Sequence, residues 1–485
     1  MKFNLKFDIT FIAIFITGAL YILLPSSNNT LDALCYASDM RDGVDLFRPH
    51  HLLYNAFGYV ITHAFGITKP LLFMCFINAV FAMGCLLIAR LILLPFTGEK
   101  TRAAFIILLG ASFGFMRFAI DNEPYIIALF FSLSASLVLL TNKNIIMASL
   151  LAAIACLFHQ IYFFWWLGLL ILIIRAFDKN RIKIIIQYTA PALIVPLSYI
   201  LVYALTHTDA NTVIEFVFHD YIKYDYVSLT FKPVTLLLAP ISLIRTFFQV
   251  HGYIPALLQR FNYLLIGVFT STAFLLAGVF SFKNAIAKKN PEPYDKKFAD
   301  AHLYIFELQF LFAFISDGNA KFMIMMPFAL CIFLIIKYKI KEKLLLYFSL
   351  GLFFWNLTFG LLPYHFYELT PNASVSRYVH AHPGEAYLLK GMAWTDNILR
   401  YYHPEQVYQL NNSRILKDVT LDSLLHKNSR ILTDLINNEE FMSRAKMVSD
   451  FNGAIFEKYK TEQADSFKYD LGEVRIYSVQ LKPGD

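Results

Sequence analysis

From residue 9 to residue 362 this chain is dominated by apolar runs of bilayer length, and that pattern restricts it to one architecture. Eleven stretches qualify: 9–24, 70–95, 103–117, 124–141, 145–158, 161–177, 184–206, 261–282, 300–316, 322–337 and 344–362. A crossing helix needs about 20 mostly apolar residues. In hydrocarbon every backbone N–H and C=O must be paired within the protein, so only helices and closed barrels cross. Continuous apolar runs, without two-residue alternation, select the helix. Composition agrees: of 485 residues, 57% are hydrophobic and only 16% charged, too little charge for a soluble domain. The expected fold is an all-α polytopic membrane protein with about eleven transmembrane helices.

The basic residues set the orientation. Lys2 and Lys6, Lys100 and Arg102, Lys143, the cluster at 179–183, that at 283–297 and that at 337–343 all fall on one side of this count. Loops rich in Lys and Arg face the cytoplasm, so the N-terminus is expected inside. The net charge of +7 is spent on these loops and implies no nucleic-acid partner. The first run follows two lysines but precedes no small-residue cleavage site, so it is expected to stay as a span. Four of the five cysteines (Cys75, Cys85, Cys156, Cys331) sit inside apolar runs, and no structural disulfide is expected.

The other side receives 25–69, short turns near 118–123, 159–160 and 317–321, the long segment 207–260, and everything after 363. Residues 236–250 are apolar, but counting them as a span would place the two richest lysine loops outside. They are expected as outer juxtamembrane helix, as is the stretch from Pro49, a residue suited to a first helical turn. Residues 371–485 are polar, with strand-like runs at Ala386–Leu389 and Val474–Leu481 around an expected helical middle, Leu421–Asp450. They form a small C-terminal α/β extracytoplasmic domain, giving two domains, 1–370 and 371–485.

Acids gather on the outer side. Asp32, Asp39, Asp42 and Asp45 lie in the first outer loop, Asp121 and Glu123 in the second, Asp209, Glu215, Asp220 and Asp225 in the long one, and Asp317 in the last turn. If 31–41 is helical, Asp32, Tyr36 and Asp39 share one face, and Thr30 caps the helix. Solvated loop carboxylates account for Asp42, Asp45, Asp209 and Asp225. Asp32, Asp121 and Glu123 lie within a few residues of a span, where an idle carboxylate is costly. Such acids, brought together from separate loops, suit a divalent cation or a proton transfer. Cations recur at the same depth: Arg48, His50, His51, Arg117, His159 beside Gln160, and Lys321. Cations next to a carboxylate are what holds a phosphate leaving group beside a general base.

The stretch TLDALCYASDMRDGVDLFRPHHLLYNAFGYVITHAFG resembles the first outer loop of the GT-C superfamily, integral-membrane glycosyltransferases that use polyprenyl-phosphate-linked sugars. It is most similar to the lipid A aminoarabinose transferases and protein O-mannosyltransferases. Asp32 and Tyr36 match the Asp and Tyr of that loop, and Gly43 and Pro49 its middle. His50 and His51 stand where those enzymes carry a basic residue at the lipid phosphate. Asp121-Asn122-Glu123 resembles the acidic second outer loop, in the D-x-E form of the oligosaccharyltransferases. Lys321 to Pro327 resembles their late polar turn and Pro-containing helix. The likeness covers about the first 165 residues plus 317–330; residues 371–485 lie outside it.

The resemblance implies transfer of a sugar from a polyprenyl-phosphate donor to a glycan, lipid or protein acceptor on the extracytoplasmic face, with inversion. Asp32 would be the catalytic base. Tyr36, His50, His51, Arg117, Asp121, Glu123, His159 and Lys321 would bind substrate, and Asp32, Asp121 and Glu123 would be the set for a divalent cation, if one is used. Tyr221, Tyr224 and Tyr226 are expected at the substrate, and the bacterial inner membrane is the expected location. Two alternatives share the lipid-linked substrate. An outer-leaflet polysaccharide polymerase or ligase would draw on His219, Arg245, His251 and Arg260. A transporter or flippase would carry charge at mid-membrane depth and interrupted spans. A membrane-anchored binding module would need far fewer spans.

Overall fold

The computed structural model describes residues 8–177, 180–206, 210–219, 233–282, 285–316, 318–412, 418–436 and 453–482. Tyr221, Tyr224, Tyr226, Asp209, Asp220, Asp225 and Asp317 lie outside the described residues. The chain divides into two compact units. The first comprises Met1–Ser26, Asp39–Ile254 and Asn262–Leu362; the second comprises Ser27–Ser38, Pro255–Phe261 and Pro363–Asp485.

The helices that organise the first unit are α1 (Ile9–Leu23), α2 (Leu31–Asp42, whose first part belongs to the second unit), α3 (Tyr54–Ala64), α4 (Pro70–Leu93), α5 (Glu99–Ala111), α6 (Phe113–Ala119), α7 (Tyr125–Thr141), α8 (Ile145–Phe158) and α9 (Phe163–Ala176). They are followed by α10 (Arg181–Ala192), α11 (Ile194–Leu205), α12 (Thr235–Phe247), α13 (Leu265–Phe280), α14 (Pro293–Ile315), α15 (Met326–Lys337) and α16 (Glu342–Asn356). A π-helical turn, Leu357–Leu361, continues α16. A two-stranded sheet pairs β1 (Ile286–Lys288) with β2 (Tyr338–Ile340) antiparallel.

All eleven expected spans are helical, but they differ in reach. Among the described residues, six stretches are long and apolar enough to cross a membrane: Pro70–Leu93, Arg181–Leu205, Asn262–Phe280, Pro293–Ile315, Ala320–Lys337 and Glu342–Phe366. The bent pair α5 and α6 makes a seventh if it is one span. The remaining four, Ile9–Leu23, Tyr125–Thr141, Ile145–Phe158 and Gln160–Ala176, are apolar but shorter. At 1.5 Å per residue they reach roughly 21–26 Å against a hydrocarbon core of about 30 Å. Helix α3, at 11 residues, is shorter still, in keeping with an interfacial position. The span made by α10 and α11 turns Ile182, Ile186, Leu197, Leu201 and Leu205 outward, as lipid contact requires.

Local chemistry fixes the helix starts. Asp8 caps α1 by accepting the Thr10 N–H at 3.0 Å. Its carboxylate also takes the Arg90 and Arg102 guanidinium groups, each at 2.9 Å, tying α1 to α4 and α5. Burial acts to raise the Asp8 pKa, but hydrogen bonds from Arg90, Thr10 and Arg102 hold it well below the usual carboxylate range. Pro70 occupies the first turn of α4, where its missing N–H costs nothing.

In the second unit a five-stranded sheet has the order β4-β3-β5-β7-β6. Strands β3 (Ala386–Leu389), β4 (Gln409–Asn412) and β5 (Ile431–Thr433) are parallel, while β6 (Lys460–Tyr469) and β7 (Gly472–Gln480) form an antiparallel hairpin that joins β5 through β7. Alternation places Ala386 and Leu388 in one core with Leu421 and Leu425. Tyr387 and Leu389 enter the other, with Val375, Val379 and Leu399. A sheet covered on both faces explains why β3 is apolar throughout, while β7 leaves Glu473 and Arg475 exposed on one face. In the described part of the expected helical middle, a helix spans Asp418–Lys427 and Ile431–Thr433 is strand; residues 437–450 lie outside the described residues.

Candidate functional site

The acidic loop 121–123 is the centre of the polar constellation in the first unit. Helix α6 delivers it, and Asp121, Asn122 and Glu123 are all buried. The carboxylate of Asp121 pairs with the Arg117 guanidinium at 2.7 Å, one helical turn earlier. Glu123 pairs with the Lys321 ammonium at 3.3 Å, across 198 residues of sequence. A buried charge is tolerated when paired and hydrogen-bonded, and each acid here has its own cation.

The backbone of this loop is held by residues that the sequence did not single out. Asn78, fully buried on α4, donates through Nδ2 to the Asp121 carbonyl at 2.6 Å and the Glu123 carbonyl at 2.8 Å. Tyr54, at the start of α3, donates its hydroxyl to Asn122 Oδ1 at 2.7 Å. A signal for Asn78 existed: it is a lone amide in a 24-residue apolar helix, and polar groups at that depth are costly unless used.

A histidine cluster lies next to the loop. The rings of His50 and His51 have centroids 4.1 Å apart, and His50 and His159 are at 6.1 Å. Tyr125, two residues past Glu123, lies 4.6 Å from His159, and Tyr54 lies 6.1 Å from His51. Gln160 Nε2 donates to the Pro49 carbonyl at 3.0 Å, and the Tyr199 hydroxyl donates to the same oxygen at 2.5 Å. The Leu53 N–H reaches the Leu157 carbonyl at 3.0 Å. These bonds pin the histidine turn to the end of α8. His51 is fully buried. Burial, with the charges of His50, His159 and Arg48 adding to it, pushes its pKa well below the usual value. That shift favours the neutral form of the His51 ring.

Arg48, weighed in the sequence only as a cation, pairs with buried Asp39 at 2.6 Å, and Asn55 Nδ2 adds a bond to Asp39 at 3.2 Å. This closes the first loop on itself. Asp32 and Tyr36 fall in the part of α2 assigned to the second unit. Asp32 is half-buried in the first helical turn and Tyr36 is buried. Thr30 caps that turn, its hydroxyl oxygen accepting the Ala33 N–H at 3.1 Å. The first unit thus brings together His50, His51, Arg117, Asp121, Glu123, His159 and Lys321.

Among the described residues no group of three or more His, Cys, Asp or Glu side chains is arranged to hold a metal ion. Of the expected metal set, Asp121 pairs with Arg117 and Glu123 with Lys321. Near the histidine turn, a cavity of about 930 Å³ opens between α8, α9, α10 and α11. Phe164, Trp166, Leu193 and Pro196 line it, with Gln160 and Tyr199 among its few polar groups.

No protein-family model matches the chain, and no curated protein matches it. Solved structures do. The chain is similar to the Archaeoglobus fulgidus oligosaccharyltransferase in its apo form, at 11% identity and a TM-score of 0.49, over 98% of this chain and 74% of that one. The same enzyme in complex with Zn and sulfate matches at 12% identity and 0.48, over 95% and 73%. ArnT from Cupriavidus metallidurans bound to undecaprenyl phosphate matches at 10% identity and 0.39, over 97% and 96%. These likenesses are coarse, and the candidate site rests on the contacts described above.

Proposed function

We propose that this membrane protein transfers a sugar from a polyprenyl-phosphate carrier to an acceptor on the extracytoplasmic side, where residues 371–485 also lie. The observation that carries this is the pairing of Arg117 and Lys321 with a buried acidic loop, beside His50 and His159. Held cations next to carboxylates stabilise a phosphate as charge builds on the leaving oxygen. Asp32 is the base, by the motif it shares with Tyr36. It takes the proton from an acceptor hydroxyl as that oxygen forms its bond to the anomeric carbon. The bond to the phosphate oxygen breaks on the opposite face, so the configuration inverts; one base without a carboxylate nucleophile suits that outcome. Arg117, Lys321 and His50 receive the phosphate, Asp121 and Glu123 orient those cations, and the apolar cavity beside Gln160 takes the isoprenoid chain.

The test is release of polyprenyl phosphate from a polyprenyl-phosphate sugar by the purified protein in nanodiscs. Release coupled to acceptor glycosylation supports transfer. The bent pair α5 and α6 also favours a second reading, a lipid-linked-sugar transporter, since discontinuous helices line transport sites. Movement of the intact donor between leaflets without release would select that reading.

A further inference from the structure

Three helix interruptions meet at one buried side chain in the first unit. Helices α5 and α6 bend by 65° at Ser112, α12 stops at Phe248, and α16 passes into the π-helical turn. Each interruption frees backbone groups that lipid cannot satisfy. Asn356 is fully buried among them. Its Nδ2 donates to the Ala111 carbonyl at 2.7 Å and the Phe247 carbonyl at 2.6 Å. Its Oδ1 accepts the Gln249 N–H at 2.8 Å. Two acceptors and one donor around the amide fix its orientation and use both its N–H groups.

The neighbours reinforce the joint. Trp355 Nε1 donates to the Gln249 carbonyl at 2.8 Å. Gln249 Nε2 donates to the Tyr253 hydroxyl, which donates to the Phe359 carbonyl of the π turn at 3.1 Å. The backbones approach closely: a Cβ on Gly360 would lie 3.2 Å from Phe113, and one on Gly114 3.3 Å from Thr246. Helix α6 has seven residues, so it tilts as one piece. Arg117 lies five residues past the break, about 7.5 Å along the axis, so a tilt of about 10° displaces it by about 1 Å.

We propose that Asn356 is a positioning residue: by tying the Ala111 carbonyl freed at the α5–α6 break to the backbone groups freed where α12 stops, it sets the direction of α6 and thereby the place of Arg117 and Asp121. This rests on the proposed role of that pair in sugar transfer. A displacement of about 1 Å is enough to cost roughly 10² in rate.

The test uses the full-length protein in nanodiscs and the isosteric Asn356→Asp, which keeps the volume but sets an oxygen against two carbonyls. Hydrogen exchange over 110–123 and the kcat and KM for a polyprenyl-phosphate sugar are measured. The expected result is faster exchange over 110–123 with 163–205 unchanged, and kcat about 10²-fold lower with KM within about 3-fold. Wild-type exchange and kcat would overturn the proposal, as would faster exchange spread evenly over the protein. If Asn356→Asp does not fold, Trp355→Phe carries the test: a several-fold fall in kcat at constant KM supports the joint, and an unchanged kcat overturns it. If wild type transfers no sugar, the assigned reaction fails, while exchange over 110–123 still decides whether Asn356 sets α6.

Discussion

Replacing Asn78 by Leu tests how the acidic loop is built. Leucine keeps the branching of asparagine with two methyl groups in place of the amide oxygen and nitrogen, so the change removes both carbonyl hydrogen bonds without opening a cavity. The Asp121 and Glu123 carbonyls would lose the amide that meets them at 2.6 and 2.8 Å. Each buried acceptor left unpaired costs about 1–3 kcal/mol, so the pair costs about 2–6 kcal/mol. Part of that sum is relieved if the loop moves toward other donors, and movement displaces Asp121 and Glu123 themselves. Asn78→Leu is thus expected to lower both thermal stability and transfer rate, the latter about 10²-fold for a shift near 1 Å. Unfolding can be followed with a thiol-reactive dye, because Cys75, Cys85, Cys156 and Cys331 are buried and free. Tyr54→Phe, which loses the bond to Asn122, is expected to cost about 1 kcal/mol. An Asn78→Leu protein that labels at the wild-type temperature and turns over normally would refute the reasoning.

Arg117→Met leaves the Asp121 carboxylate buried without its ion pair and should destabilise by about 3–5 kcal/mol in the same assay. The double change Arg117→Met with Asp121→Leu should recover most of that stability while remaining inactive, since no cation returns; a double variant as unstable as the single would count against the pairing. In the second unit, Asp434 is buried, accepts the Lys390 N–H at 2.9 Å, and is pushed by burial up to about 6. The folded form therefore binds the Asp434 proton more tightly than the unfolded chain, and stability falls as pH rises from about 4 to about 6, by up to about 3 kcal/mol. Proteolysis within 386–434 should accelerate between pH 4 and pH 6.5 in wild type and lose that dependence in Asp434→Asn; an unchanged slope in the variant would assign the effect elsewhere.

Some of this molecule was legible in sequence. Apolar runs gave the helices because bilayer burial leaves the backbone no other choice, and Thr30 with the 31–41 pattern gave α2 with its cap. The candidate cations Arg117 and Lys321 were visible as charges at helix ends, and Asp121 stands one helical turn after Arg117, but the partner of Lys321 was not visible. The Lys321–Glu123 pair spans 198 residues, and no spacing rule reaches that far. Helix breaks were hidden for a related reason: 103–117 reads as one apolar run, while the Ala111 carbonyl at the bend is met by Asn356, 245 residues later. Strand β5 is three residues long, too short for a two-residue period to show inside a polar segment. The complete burial of His51, which disfavours its charged form, is not announced by a histidine beside a polar loop.

The most direct test compares wild type and Asp32→Asn in one nanodisc preparation, each given the same polyprenyl-phosphate sugar and acceptor, with released polyprenyl phosphate as the readout. Asp32 as the base predicts release by wild type and a fall of about 10²–10⁴ in rate for the variant, with donor binding retained. Equal release by the two proteins would remove Asp32 from the chemistry. Donor binding without release by either would contradict sugar transfer itself.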